Sequence, residues 1–167
     1  GDLGYLGNDV ALSFGFMQFW RLKEDWLRLT AKYFGHRYLF DCIVPGGVAV
    51  DISDSGKTEF AAAADRIEAE VRELKAIYDD QSTLQDRFSN TGICKPDLAA
   101  RLGLTGLPGR ASAQAWDARV QFPQSPYDQL NVNMATNRRG DVLARAEVRF
   151  AEVAESLRLI RDILKRL

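Results

Sequence analysis

The sequence predicts a mainly α fold: a helical bundle of long helices with a small two-stranded β element and a long Gly/Pro-rich loop. Three observations carry this. Apolar residues recur at heptad spacing from Phe60 to Tyr78, and again from Ala146 to Leu167. Pro45-Gly46-Gly47 is a turn signal, and the alternating run Val48-Ala49-Val50-Asp51-Ile52 follows it. Residues 103–140 are rich in Gly, Pro, Asn and Ser, a length of loop that is usually functional in a compact domain.

Taken in order, residues 5–34 read as helix, with Leu12, Phe16, Phe19, Trp26, Thr30 and Tyr33 at helical spacings. Phe14 to Trp20 is apolar nearly all round and predicts burial on several sides. Charges begin at Arg21, Lys23, Glu24 and Asp25, which predicts a bend or break near Gln18 to Lys23. Gly35 is placed as a helix C-cap. Val48 to Ile52 reads as a short strand whose partner is Asn131 to Ala135. Ser55 or Thr58 caps the next helix, whose seam is Phe60, Ala64, Ile67, Val71, Leu74 and Tyr78. Leu84 to Phe88 extends it and Asn90-Thr91-Gly92 closes it. Pro96 opens a short helix over Leu98 to Leu102. The last helix begins near Arg139-Gly140-Asp141.

At 167 residues the chain is expected to form one helical domain, burying roughly 70% of its unfolded surface. Its 22 basic and 23 acidic residues leave a net charge of -1, which argues against nucleic acid or an anionic membrane as main partner. Cys42 and Cys94 are the two cysteines and His36 the one histidine. That composition fits a reducing compartment better than a disulfide framework. It also cannot furnish a four-ligand zinc or iron–sulfur site, so no cofactor or metal is expected on these residues. The first residues lack a basic n-region and a cleavage site, so no signal peptide is read there. Val10 to Leu22 is too short to span a bilayer. The periodic pattern runs to Leu167 without a stop signal, and both ends read as cut from a longer chain.

The last helix is the most informative element. Ala146, Phe150, Val153, Leu157, Ile160, Leu164 and Leu167 form one apolar stripe at ~100° per residue. Asp141, Arg145, Arg149, Glu152 and Ser156 form an adjoining polar stripe, with Val148 and Leu159 on its far side. Glu147, Ala151, Glu155, Arg158, Arg161, Asp162 and Lys165 are assigned to solvent. A polar stripe walled by apolar residues is not a solvated face, and buried charges persist only when paired. Arg149 and Glu152 are spaced to pair along the helix, and Asp117 is the candidate partner for Arg145. If the stripe is buried, Glu152→Ala costs about 3–5 kcal/mol. A structural ion network and the lining of a polar cavity predict the same pattern, and both readings stand.

The loops have equally plain alternatives. A basic residue after Gly35 offsets the helix dipole, while His36 is also of the type that donates protons near neutral pH. Pro45-Gly46-Gly47 lacks the spacing of a phosphate loop. Gly109-Arg110 and Asp117-x-Arg119 place three charges in a Gly-rich loop, where exposure is the default. Ser112 has no strand–turn–helix context or nearby histidine, which excludes hydrolase chemistry.

Gly35-x-Arg37 before Pro45-Gly46-Gly47-Val48 is followed by Gly103-Leu104-Thr105-Gly106, Arg110-Ala111-Ser112 and Trp116-Asp117-x-Arg119. Pro126-Tyr127, Gly140-Asp141, Arg145, Val148-Arg149, Glu152 and Ser156-Leu157-Arg158 complete the series. In this order, over nearly the whole chain, they resemble one family. It is the large subunit shared by membrane-associated nickel–iron hydrogenases (formate hydrogenlyase and hydrogenase-4 type) and by the quinone-site subunit of respiratory NADH:quinone oxidoreductase. Trp116-Asp117-x-Arg119 and Pro45 to Val48 resemble the quinone branch; Gly109 to Ser112 and His36 resemble the hydrogenase branch. Ala113 stands where relatives commonly have Gly.

The resemblance implies a helical catalytic subunit that docks onto an iron–sulfur small subunit and membrane-arm subunits, at the cytoplasmic face of the inner membrane. A nickel–iron centre held by paired CxxC motifs, or a quinone, is expected in the full-length subunit, with an iron–sulfur cluster in the partner. Neither ligand motif, nor the family's quinone-site His and Tyr, falls within these residues, so the chain reads as a central-to-late fragment, inactive alone. It is expected to scaffold a nickel–iron site; the alternatives are a quinone-binding subunit and a non-catalytic helical assembly module. His36, Arg37, Arg110, Asp117, Arg119, Arg145, Arg149 and Glu152 are the residues expected to line a cavity or orient cofactor-binding groups. None is assigned a catalytic or metal-binding role.

Overall fold

Helices account for nearly all regular structure in the computed structural model, which describes residues 1–167. In chain order these are α1 (Asp2–Asp9), α2 (Ser13–Phe34), β1 (Ile43–Val44), β2 (Gly47–Val48), α3 (Asp54–Asp80) and α4 (Ser82–Phe88). Then come α5 (Pro96–Arg101), α6 (Gly106–Ala111), α7 (Ala118–Gln121), a single 3-10 turn (Tyr127–Gln129) and α8 (Val142–Leu164). Two compact units divide the chain: residues 1–70 with Leu167, and residues 71–166. The mainly α class holds, with one two-stranded sheet.

In the first unit α1 lies against α2. A Cβ on Gly4 would stand 3.2 Å from Phe19 Cβ and 3.3 Å from the Phe16 carbonyl, so the glycine lets the two helices approach closely and a larger residue would push them slightly apart. The helix interruption falls at Val10 to Leu12, where Ala11 has φ 65°, and α2 then runs unbroken through Gln18 and Lys23. Of the bend or break expected there, the break does not occur. The burial on several sides expected for Phe14 to Trp20 is corrected as well: Phe14 and Met17 are exposed, because only one face of α2 there is covered. Beyond it Arg21 bonds Gln18, Asp25 and Glu70 along and beside the helix. Gly35 is the expected left-handed C-cap, φ 77°, donating to Ala31 O. The cap of α3 is Ser53, whose Oγ accepts from Gly56 N at 3.2 Å, rather than Ser55 or Thr58. Phe60 is the centre of this unit's core, with Trp26, Tyr33 and Phe34 at ring distances of 5.3–5.9 Å.

The sheet is local. Ile43 pairs with Val48 and Val44 with Gly47 across Pro45-Gly46, so the strand expected over Val48 to Ile52 and its pairing with Asn131 to Ala135 are both corrected. A tight turn lets neighbouring residues pair at little entropic cost. The 131–135 segment is held instead by side chains of α8: Asn133 N donates to Glu155 at 2.8 Å, and Arg158 donates to Asn131 O.

In the second unit Tyr78, Leu84, Phe88, Val148, Phe150, Leu157 and Leu159 are buried. Tyr78 meets Phe150 edge to face at 5.6 Å. Burial of Val148 and Leu159 on one side of α8, and of Ala146, Phe150 and Leu157 on the other, gives that helix two packed faces. The 103–140 stretch, expected as loop, contains α6, α7 and the 3-10 turn.

Candidate functional site

The site grows from a seam between the α6 end and residues 137–140. Asn137 N donates to Arg110 O (2.8 Å), Ala113 N to Asn137 O (2.8 Å) and Gly140 N to Ala111 O (2.9 Å). Ala111, Ala144 and Val148 pack beneath it, with Leu107 and Ala135 against them. Small residues there let α6 sit directly on α8, which brings Arg110 over Glu152. Gly140 is required: its Cβ would fall 2.0 Å from Cys94 O, and its φ is 69°. Gly109 is equally constrained, 2.3 Å from Leu104 O.

On that frame Arg110 Nε donates to Glu152 Oε1 at 2.7 Å, Nη2 donates to the same oxygen, and Nη1 donates to Trp116 O at 3.3 Å. Asp117 caps α7 by accepting from Arg119 N at 3.0 Å. The Arg119 side chain then grips both Asp117 oxygens, at 3.0 and 2.7 Å. Arg110 Nη1 stands 4.0 Å from Asp117 Oδ2, which joins the two pairs. The Asp117 side chain is 8% exposed and that of Arg110 12%. The Arg119 hydrogen bond holds Asp117 below the usual carboxylate range, outweighing burial, and raises Arg119 in turn.

Four of the expected residues, Arg110, Asp117, Arg119 and Glu152, therefore meet. Arg145 does not pair with Asp117: it donates to Gly92 O (2.6 Å) and Gly140 O (3.0 Å), with Nε buried and without a partner. Asp117 is already engaged, and Arg145 clamps two loop carbonyls instead. Arg149 donates to Arg145 O at 3.2 Å. Asp141 is buried as the α8 N-cap, accepting from Ala144 N and Asn90 N. Ser156, placed in the walled stripe, is exposed. His36 and Arg37 belong to the first unit. His36 Nδ1 accepts from Tyr38 N and Phe40 N, and Arg37 donates twice to Glu24. Hydrogen bonds from Arg37 and then Arg28 lower Glu24 to about 2.

Sequence reasoning assigned Glu155 to solvent, yet it is buried. It accepts from Asn133 N, Asn133 Nδ2 and Arg158, and the Arg158 hydrogen bond, ahead of those from Asn133, lowers it to about 2. The signal available was its spacing to Arg158, together with the asparagines of the preceding loop. Ser112 is fully buried with its Oγ unpartnered.

The Arg110–Asp117–Arg119–Glu152 network balances two cations against two anions, and Arg110 has each of its nitrogens bonded. Such a group holds segments and a fixed field; it has no free base or nucleophile in position. No group of three or more His, Cys, Asp or Glu gathers where a metal would be held, and both cysteines are free. A nickel–iron centre or iron–sulfur cluster does not fit these residues.

A family model described as the 49 kDa subunit of respiratory-chain NADH dehydrogenase matches residues 9–167. The carbon monoxide-induced hydrogenase of Rhodospirillum rubrum is 30% identical over 165 residues, 98% of this chain and 46% of that protein. NADH-quinone oxidoreductase subunit 4 of Thermus thermophilus is 30% identical over 152 residues, 91% of this chain and 37% of that one. The chain thus spans less than half the length of these relatives. A chain of the membrane-bound sulfane sulfur reductase, an archaeal respiratory membrane complex, has the same fold. Its TM-score is 0.90 at 22% identity, over 98% of this chain and 44% of that one.

Proposed function

This chain belongs to the family of the 49 kDa subunit of respiratory-chain NADH dehydrogenase, and from that membership we propose that it serves as part of an oxidoreductase subunit in a multi-subunit respiratory complex. In this reading the native subunit works in quinone reduction, beside an iron–sulfur partner and peripheral to a membrane. No helix of the chain is long and apolar enough to cross one. Residues 1–167 supply scaffold and fixed charge; the redox group is held elsewhere. One observation carries this: Arg110, Asp117, Arg119 and Glu152, scattered along the chain, meet in a charge-balanced network. Such a network orients neighbouring groups and sets their local field without itself reacting.

A second reading, a hydrogenase-type subunit, is favoured by the alignment with the carbon monoxide-induced hydrogenase over nearly all of this chain. One experiment separates the two. The native complex, isolated with the subunit at full length, is assayed for NADH oxidation by a short-chain quinone and for hydrogen-driven reduction of a viologen dye. Quinone reduction that falls about tenfold or more in Arg110→Ala, with the complex still assembled, is the expected result. Hydrogen-driven activity alone carries the second reading. An intact complex with neither activity overturns both and leaves the non-catalytic assembly module.

A further inference from the structure

Between α2 and α3 the chain forms an arm, residues 38–50, with an unusually apolar exposed surface. Ile43 is 83% exposed, Phe40 66% and Val48 65%, and Tyr38, Val44 and Val50 are exposed with them. Ile43 and Val48 face one another across the β1–β2 ladder, so their side chains share one face. Cys42 is the arm's buried anchor, its thiol directed to the carbonyls of Phe34 and Phe40. The sheet has only these two strands, which leaves an unpaired backbone edge on each side. A two-stranded hairpin is marginal alone in water, and large apolar side chains exposed together on one short segment mark an interaction surface.

Charge at the base of the arm indicates what covers it. The cation there is occupied: Arg37 is held by Glu24 through two hydrogen bonds. The His36 ring stacks on Phe40 at 4.5 Å and accepts backbone N–H groups. The carboxylates are not matched. Asp41 is exposed and outside any ion pair, and Asp51 engages only Ile52 N of its own backbone. These two uncompensated carboxylates, Asp41 in the arm and Asp51 just past its end, repel a second copy of the arm and attract a basic surface.

We propose that residues 38–50 are the docking surface for a separate protein chain that adds an extended apolar strand, flanked by lysine or arginine, to the edge of the β1–β2 sheet. The partner's backbone completes the ladder, its apolar side chains cover Ile43 and Val48, and its basic residues pair with Asp41 and Asp51. This rests on the reading of the chain as part of a multi-subunit complex.

The test uses the full-length subunit in its native cells, with Ile43 replaced by the photo-cross-linker benzoylphenylalanine and, as a control, Phe14 replaced in the same way. The expected product from position 43 is a peptide of a different protein, alternating apolar residues with Lys or Arg close by. The control gives no such peptide. Its yield falls about tenfold when Asp41→Lys and Asp51→Lys are combined, or when ionic strength rises in an isolated complex, which covers a charge reversal that fails to fold. Cross-links to lipid, to a second copy or to an acidic peptide overturn the docking surface, as does a yield indifferent to both charge and salt. A native gel separates the two levels of failure. A large complex without the cross-link rejects the docking surface alone, whereas a free subunit rejects the underlying functional reading as well.

Discussion

Gly140 and Ala113 sit on the same backbone seam, both with positive φ, 69° and 66°, and they answer oppositely to substitution. A methyl group on Gly140 would enter Cys94 O at 2.0 Å. Gly140→Ala is expected to cost about 3 kcal/mol or more from strain and overpacking; a urea midpoint equivalent to less than ~1 kcal/mol would show that the seam yields. Ala113 already carries a Cβ in a left-handed conformation. Ala113→Gly relieves about 1–2 kcal/mol of that strain while adding unfolded-state entropy worth up to ~1, so a gain of up to about 1 kcal/mol is expected. The sequence marked Ala113 as a departure from its relatives, but only the backbone gives the sign. Glu152 is the third test. Arg110 keeps a single carbonyl partner and a carboxylate 4.0 Å away once Glu152 is gone. Glu152 is 24% exposed, so Glu152→Ala should cost about 2–3 kcal/mol, less than a fully buried pair. Glu152→Gln, which keeps the acceptor, should cost distinctly less in the same urea titration; equal costs would assign the whole effect to charge.

At the scale of elements, helices were legible where one face repeats. Phe60, Ala64, Ile67, Leu74 and Tyr78 of the seam, and Ala146, Val148, Phe150, Leu157 and Leu159 of α8, are buried as periodicity requires. Leu167, expected on the same stripe, lies past the helix end and is exposed. Legibility ended where a side chain from elsewhere decides. Helical phase put Glu155 toward water, but the 131–133 segment crosses that face and Glu155 satisfies its backbone. This has a pH consequence. The folded pKa of Glu155, about 2, lies below the ordinary value of 4.5, so protons bind the unfolded chain more readily. Its contribution is therefore present above pH ~4.5 and is lost as pH falls toward ~2. For a buried carboxylate shifted by this much the contribution is of order 3 kcal/mol. Urea midpoints at pH 6 should separate the native chain clearly from Glu155→Gln, and the gap should shrink to about a quarter of that by pH 2.5. A gap independent of pH would mean that Glu155 acts through packing instead.

At the scale of the molecule, motif order carried the family, and the mainly α class followed from periodicity, while the wiring of the site did not. Asp117 and Arg145 are opposite charges in loop and helix, and nothing in their spacing says that Arg119, two residues away, takes the carboxylate first. Nor does spacing say that two loop carbonyls take Arg145. Local chemistry wins such contests, because a partner two residues away costs little entropy to bring in. The two cysteines report on the two compact units separately, since Cys42 lies in the first and Cys94 in the second. Cys42 is 7% exposed, beneath an arm with little else to anchor it, whereas Cys94 is partly open at the seam with Gly140. In native buffer a maleimide should label Cys94 first, about tenfold faster or more, since thiol reactivity follows access. Labelling of Cys42 then requires local opening of the arm, which has few buried contacts and belongs to the low-stability end of the structure. Peptide mass spectrometry across a urea series should show Cys42 becoming reactive well below the global unfolding midpoint. Protection of Cys42 up to that midpoint would mean that the arm opens only with the fold.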